Sequence, residues 1–187
     1  MGVVQSIKPT NVERWFGEDE IIVSKTDLRG RITYANDVFL NIAGYREEEV
    51  LDQPHNLIRH PDMPRAVFKL LWETVEKGEE IFAYVKNMTV TGDHYWVFAH
   101  VTPSFDANGK IVGYHSNRRR PNPAALKRIQ PVYDQLLTEE GRHANAKAGM
   151  NASYDLLKSI LADADMTYEE FVFSLAPAEA SVREVAA

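Results

Sequence analysis

Gln53-Pro54-His55-Asn56-Leu57-Ile58-Arg59-His60-Pro61-Asp62-Met63-Pro64 decides how this chain is read. Its prolines rule out one continuous helix or strand, because each fixes φ and removes a backbone donor. A segment this rich in His, Arg and Asp is costly to order unless it binds something or caps neighbouring helices, and loops held on a rigid scaffold often carry function. Asp62 has two readings: an N-cap for the helix that follows, with Met63 and Pro64 in its first turn, or a ligand contact. For Arg59 and His60 together, ligand contact is preferred.

Moving outward, Ala66, Phe68, Leu70, Leu71, Trp72 and Val75 form one apolar stripe of a helix that ends at Gly78. Upstream, Asn36 is an N-cap and Gly44 a C-cap for a short helix, and Glu47 to Leu51 suggests another turn. Before them, Ile21–Thr26 and Arg31–Ala35 flank the turn Asp27–Gly30 as a hairpin. After Gly78 come three strands, Ile81–Val90, Tyr95–Phe105 and Lys110–Asn117, joined by turns at Thr91–Asp93 and Asp106–Gly109. Helices gathered between two sets of strands predict an α+β fold with one antiparallel sheet.

The flanks are read as helical. Val12, Trp15 and Phe16 make a short amphipathic segment, assigned to an N-terminal helical cap over residues 1–19, ahead of a sensor domain over 20–121. A helical extension over 122–187 follows: Leu126, Ile129, Tyr133, Leu136 and Leu137 lie near heptad spacing, interrupted by Pro131. Glu139 to Asn151 reads as a polar link, Tyr154 to Leu161 as an amphipathic helix, and Thr167 with Glu170 as a capping box before Phe171 to Leu175. The last dozen residues read as frayed.

Composition narrows the chemistry. The chain has no cysteine, which excludes disulfides, zinc thiolates and cysteine nucleophiles. A net charge of −6, spread along the chain, gives no reason to propose nucleic acid as a partner. No stretch reaches the roughly 20 apolar residues that cross a bilayer, and Met1 to Asn11 lacks a secretory apolar core. The expected location is the cytoplasm, with no direct membrane insertion.

The segment from Gln53 to Pro64 resembles the PAS sensor domain of bacterial aerotaxis receptors, where QPHN followed by RHPDMP is a hallmark. The resemblance extends over about Ser24 to Arg120, through Thr26-Asp27-Leu28, Ala35-Asn36-Asp37, Gly44-Tyr45, Trp72, Val85-Lys86-Asn87, Gly92 to Val97, and Gly113-Tyr114. It implies a PAS fold: a five-stranded antiparallel sheet in the order 2-1-5-4-3, with helices on one face around a pocket, here followed by the C-terminal helical extension. It also implies noncovalent FAD (FMN being the variant), with redox state reporting respiratory electron flow. Carried over residue by residue, the cofactor-binding set is His55, Arg59, His60, Asp62, Trp72 and Asn36. Without cysteine, the cysteinyl–flavin chemistry of light-sensing relatives is excluded. Phe98 and His100 stand where the family is usually polar, and Asn117 where it is apolar; turned inward, they would remodel the pocket floor. The family's transmembrane and kinase-control regions have no counterpart in this sequence, so signalling is expected to run through a chemoreceptor or another signalling protein, with homodimerisation through terminal helices or sheet face as a further expectation.

The residues make that chemistry plausible by themselves. A ring system needs an aromatic wall, for which Trp72, Phe39, Phe68 and Trp96 are available, and Arg59 can clamp a phosphate. From pattern alone, Trp72 and Trp96 are core residues; the resemblance raises Trp72 only. His94 is expected to be exposed, His100 and His115 half-buried, and Arg118-Arg119-Arg120 a solvated charge run. Two alternatives stay open: a haem-based gas sensor using His55, His60, His100 or His115 as axial ligand, and a ligand-free interaction module. No nucleophile–base–orienter set is apparent, so an enzyme is not expected.

Overall fold

Alternation sets the sheet. In β3 (Ile81–Met88) the odd-numbered residues and in β4 (His94–Phe105) Val97, Ala99 and Val101 turn to one face, while Phe82, Tyr84, Trp96, Phe98 and His100 turn to the other. With β1 (Ile22–Thr26), β2 (Ile32–Ala35) and β5 (Ile111–Arg119) they form one antiparallel sheet in the order β2-β1-β5-β4-β3. This is the order expected. The computed structural model describes residues 7–176.

Between β2 and β3 lie α1 (Asp37–Ala43), α2 (Glu47–Val50), a 3-10 turn at His55–Ile58 and α3 (Arg65–Val75). Asn36 caps α1 as expected, its Oδ1 accepting from Phe39 N at 3.1 Å. Gly44 closes α1 at φ +76, a left-handed conformation that a side chain resists. Helix α3 begins without a side-chain cap of its own; Ala66 N donates instead to Glu140 Oε1 at 3.2 Å, from a helix remote in sequence. Asp62 is therefore not its cap. It pairs with Lys86 at 2.8 Å.

Past β5, α4 (Pro123–Gly141), α5 (Ala146–Asp163) and α6 (Tyr168–Ser174) form the C-terminal helices. Pro131 does not break α4: it lies on the exposed side, where the carbonyl it leaves free faces water. The expected polar link over Glu139–Asn151 shrinks to residues 142–145, because Asn145 Oδ1 caps α5 by accepting from Lys147 N and Ala148 N. The Thr167–Glu170 capping box opens α6 as expected. Helices α1 to α3 cover one face of the sheet. The C-terminal helices add cover to the other: Phe173 of α6 packs on Phe82 and Phe98, and Tyr133 of α4 stacks on Trp96. Helix α5 turns back to lie along α3. The expected frayed tail from residue 177 lies outside the described residues.

Residues 7–19 contain no helix, with a left-handed Asn11 (φ +60) and a turn at 18–19, so the N-terminal helical cap is corrected there; residues 1–6 of that expectation lie outside the described residues. The hydrogen-bonding groups at the start of β4 hold residues 7–19 through one parallel bridge at Glu13: His94 N donates to Val12 O at 2.8 Å and Arg14 N to His94 O at 2.7 Å. Arg14 also pairs with Asp93 at 2.6 Å.

Candidate functional site

Between the odd face of the sheet and α3 lies a cavity of about 630 Å³. That is within the roughly 300–1,000 Å³ typical of small-molecule sites. Helix α3 contributes Phe68 and Trp72, and Trp72 meets Tyr114 of β5 edge to face at 5.3 Å. Gly30 (φ +72) lies under the Trp72 ring; a Cβ there would come within 3.2 Å of it. Apolar Val85, Ala99 and Val101 form the floor.

The polar side of the cavity joins three strands. Thr26, Asn87, Ser116 and Arg118 all line it, and each carries a buried side-chain atom without a hydrogen-bond partner: Thr26 Oγ1, Asn87 Nδ2, Ser116 Oγ and Arg118 Nη1. Buried polar atoms are normally paired, so a cluster of orphans around one cavity is what a bound group or ordered water would satisfy. Arg118 is 4% exposed. Its Nη2 donates to Ser24 Oγ at 2.8 Å and to His55 Nε2 at 2.7 Å. A guanidinium only donates, so His55 Nε2 is bare and its proton sits on Nδ1. Burial, with the Arg118 charge beside it, lowers the His55 pKa to about 3. Burial likewise lowers Arg118 to about 10, leaving it a cation at neutral pH.

Residues 32–118 match the family model described as the PAS fold. The chain is 44% identical over 119 residues to the aerotaxis receptor of Escherichia coli strain K12, covering 64% of this chain and 23% of the receptor. It is 28% identical over 99 residues to a nitrogen fixation regulatory protein of Klebsiella pneumoniae, covering 53% of this chain and 20% of that protein. Among solved structures, the light state of the blue-light photoreceptor Aureochrome1 LOV superposes with a TM-score of 0.53 at 25% identity, over 61% of this chain and 90% of that one. Residues 32–118 carry the PAS fold, in a sheet whose first strand, β1, lies just ahead of them. The chain thus spans less than a quarter of the length of either of these two curated relatives. Among the described residues no helix is long and apolar enough to cross a membrane.

Within the PAS domain the expected site residues separate. His55, Arg59 and Trp72 line the cavity; Asn36, His60 and Asp62 are not among its lining residues. Asn36 is fully engaged elsewhere, accepting from Val23 N at 2.9 Å and donating to Ile21 O at 2.8 Å besides capping α1. His60 is buried against the edge of His94 at 5.7 Å, and its Nδ1 accepts from Asp62 N at 3.1 Å. Its burial and the nearby Lys86 charge lower its pKa to about 4. Asp62 is turned outward to Lys86. Arg59 lies over the Phe68 ring at 4.6 Å and donates to Met63 O at 3.0 Å. Its ties are to neighbours, with the guanidinium still at the cavity wall.

Other expectations change too. Trp96 is no cavity wall, because alternation turns it to α4. Phe98, His100 and Asn117 do not remodel the floor: Phe98 packs on Tyr84 at 4.8 Å, His100 Nε2 meets Glu80 at 2.6 Å, and Asn117 Oδ1 meets His115 Nε2 at 2.9 Å. His94 is half-buried, since the N-terminal segment covers it. Arg118 is not part of a solvated run. Ending the fifth strand at Asn117 hid it; the alternation Tyr114, Ser116, Arg118 was the available signal. Met150 of α5 also lines the cavity, and no local pattern could have announced it.

Proposed function

We propose that this PAS domain is a redox or oxygen sensor that binds a flavin, FAD in the first instance, in the cavity between α3 and the sheet, and passes its state to a separate signalling partner. The observation that carries the reading is the cavity itself: room for a ring system, aromatic Trp72, Phe68 and Tyr114 along it, and four unpartnered buried polar atoms on its lining residues. These donors and acceptors suit the heteroatom-rich edge of an isoalloxazine, and Arg59, Arg65 and Lys69 near α3 suit its phosphates. The relatives' names, an aerotaxis receptor and a LOV photoreceptor, agree with a sensory role. The flavin, when bound, supplies the electron chemistry; the chain binds it, excludes water and responds to its charge. Without cysteine the chain has no thiol to form a covalent adduct with the ring.

Haem is disfavoured by contacts its candidate ligands already make. Of the four histidines considered as axial ligands, His55 and His115 line the cavity; His55 Nε2 accepts from Arg118 at 2.7 Å, and His115 Nε2 meets Asn117 Oδ1 at 2.9 Å. A path outward runs through α3, which carries Phe68 and Trp72 and is held to α5 by Tyr154 Oη donating to Glu73 at 2.8 Å. The terminal helices are accordingly the proposed route to a chemoreceptor or other signalling partner, and their free surfaces, with the part of the outer sheet face beyond them, the proposed sites of homodimerisation. An absorption spectrum of freshly purified protein, and of flavin-stripped protein after adding FAD, tests the reading. Flavin bands that shift on binding and bleach on reduction are expected; protein that stays colourless after FAD addition overturns it, and a Soret band would establish haem.

A further inference from the structure

Arg118 is the only arginine or lysine among the described residues that is less than a tenth exposed, and it makes no ion pair there. Every group facing it is uncharged at neutral pH. Ser24 of β1 and His55 of the 3-10 turn accept from Nη2, the Phe39 ring of α1 lies 5.8 Å away, and burial raises the Tyr95 phenol of β4 above its usual range. Nη1 has no partner at all, nor has the Tyr95 hydroxyl. A buried charge without a counter-charge is costly, and a hydrogen-bonding strut between β1 and the 3-10 turn would work equally well with a neutral amide. What a neutral amide lacks is the charge.

We propose that Arg118 is a specificity-determining residue for ligand charge: it makes the cavity bind a ring system carrying one negative charge more tightly than the same ring when neutral. The inference rests on the flavin reading and deepens it. Oxidised isoalloxazine is neutral; taking up two electrons and one proton leaves it with one net negative charge. Arg118 favours that form over the oxidised one. The same guanidinium holds Ser24 and His55, so a pull from the ligand is felt at β1 and at the segment leading into α3. Reduction is thereby coupled to the backbone on both sides of the cavity.

The experiment uses the full chain loaded with FAD, reduced by dithionite as the two-electron donor, in wild type and in Arg118→Lys, Arg118→Gln and Arg118→Met. The readouts are dissociation constants for oxidised and reduced FAD, and the melting temperature of flavin-free protein. The expected result is a reduced-to-oxidised affinity ratio about tenfold lower in Arg118→Gln and Arg118→Met, equivalent to a two-electron potential ~30 mV more negative. Arg118→Lys keeps most of the ratio, and flavin-free Arg118→Met melts no lower than wild type. A structural strut would instead lower affinity for both forms equally and lower the melting temperature; that result overturns the proposal. If wild type binds FAD and the ratio is the same in all variants, charge selection fails while the flavin reading stands. If wild type binds no FAD, both fail together.

Discussion

The two faces of β3 and β4 are built from alternate residues of the same strands, yet they are packed to opposite ends. On the outer face Phe82, Tyr84, Trp96 and Phe98 meet Tyr133 and Phe173 in close aromatic contact, and the Tyr133 hydroxyl donates to Tyr84 O at 2.7 Å. Among the rings there, the Tyr168 hydroxyl is the buried polar atom left without a partner. On the inner face Val85, Asn87, Ala99, Ser116 and Arg118 surround open volume and retain unpartnered polar atoms. The difference teaches that packing density and polar satisfaction, more than residue type, separate scaffold from site.

The contrast breaks most visibly at Tyr133. Tyr133→Ala removes a buried ring and its hydrogen bond, and urea unfolding should show a loss of about 3–5 kcal/mol, with flavin affinity of the folded fraction unchanged. On the inner face the weight reverses. Trp72→Ala should weaken flavin binding tenfold to a hundredfold, ~1.4–2.7 kcal/mol by titration, with a smaller change in unfolding than Tyr133→Ala. Equal stability losses for the two variants would erase the distinction between the faces.

Asn36 sharpens it next. Asn36→Ala loses the α1 cap and two further hydrogen bonds, so stability should fall by about 1.5 kcal/mol, while flavin affinity stays within threefold. A drop in affinity comparable to that of Trp72→Ala would return Asn36 to the binding set.

His55 supplies a pH test on the inner face. The unfolded imidazole protonates near pH 6.5, but the folded one only at about 3. The folded pKa is depressed, so the full stability is present above pH 6.5 and drains as pH falls through that window towards 3. Its slope is at most about 1.4 kcal/mol per pH unit. Melting curves of His55→Gln between pH 4 and 6.5 should be flatter than wild type by that one proton's contribution. His60, lowered to about 4, adds a slope of its own that this variant leaves intact. The smallest effect is expected at Asp62, half-exposed and paired with Lys86. Asp62→Asn should change stability by less than ~1 kcal/mol and leave flavin binding as it was.

Local patterns carried a large part of this molecule. Asn36 and Gly44 bounded α1, Thr167 and Glu170 opened α6, and the turns at Gly30, Gly92 and Gly109 separated the strands, because caps and left-handed turns depend on a few adjacent residues. The alternation in β3 to β5 was equally present in the sequence, although ending β5 early concealed Arg118. The site was less legible. Of the six expected contacts, His55, Arg59 and Trp72 reach the cavity, whereas Asn36, His60 and Asp62 belong to capping, a buried histidine pair and a surface ion pair.

By itself the sequence determined the α+β plan, the strand boundaries and those of α1, α3 and α6 to within a few residues, the absence of any thiol and the segment that leads into α3. Those properties follow from periodicity, composition and neighbours in the chain. Tertiary structure alone decided which face each strand residue presents to which helix, that Glu140 caps α3 from a distance, that Met150 reaches the cavity, and that the N-terminal segment pairs with β4 instead of coiling. Such outcomes depend on groups far apart in sequence competing for the same unsatisfied hydrogen bonds and buried surface, and no local propensity encodes that competition.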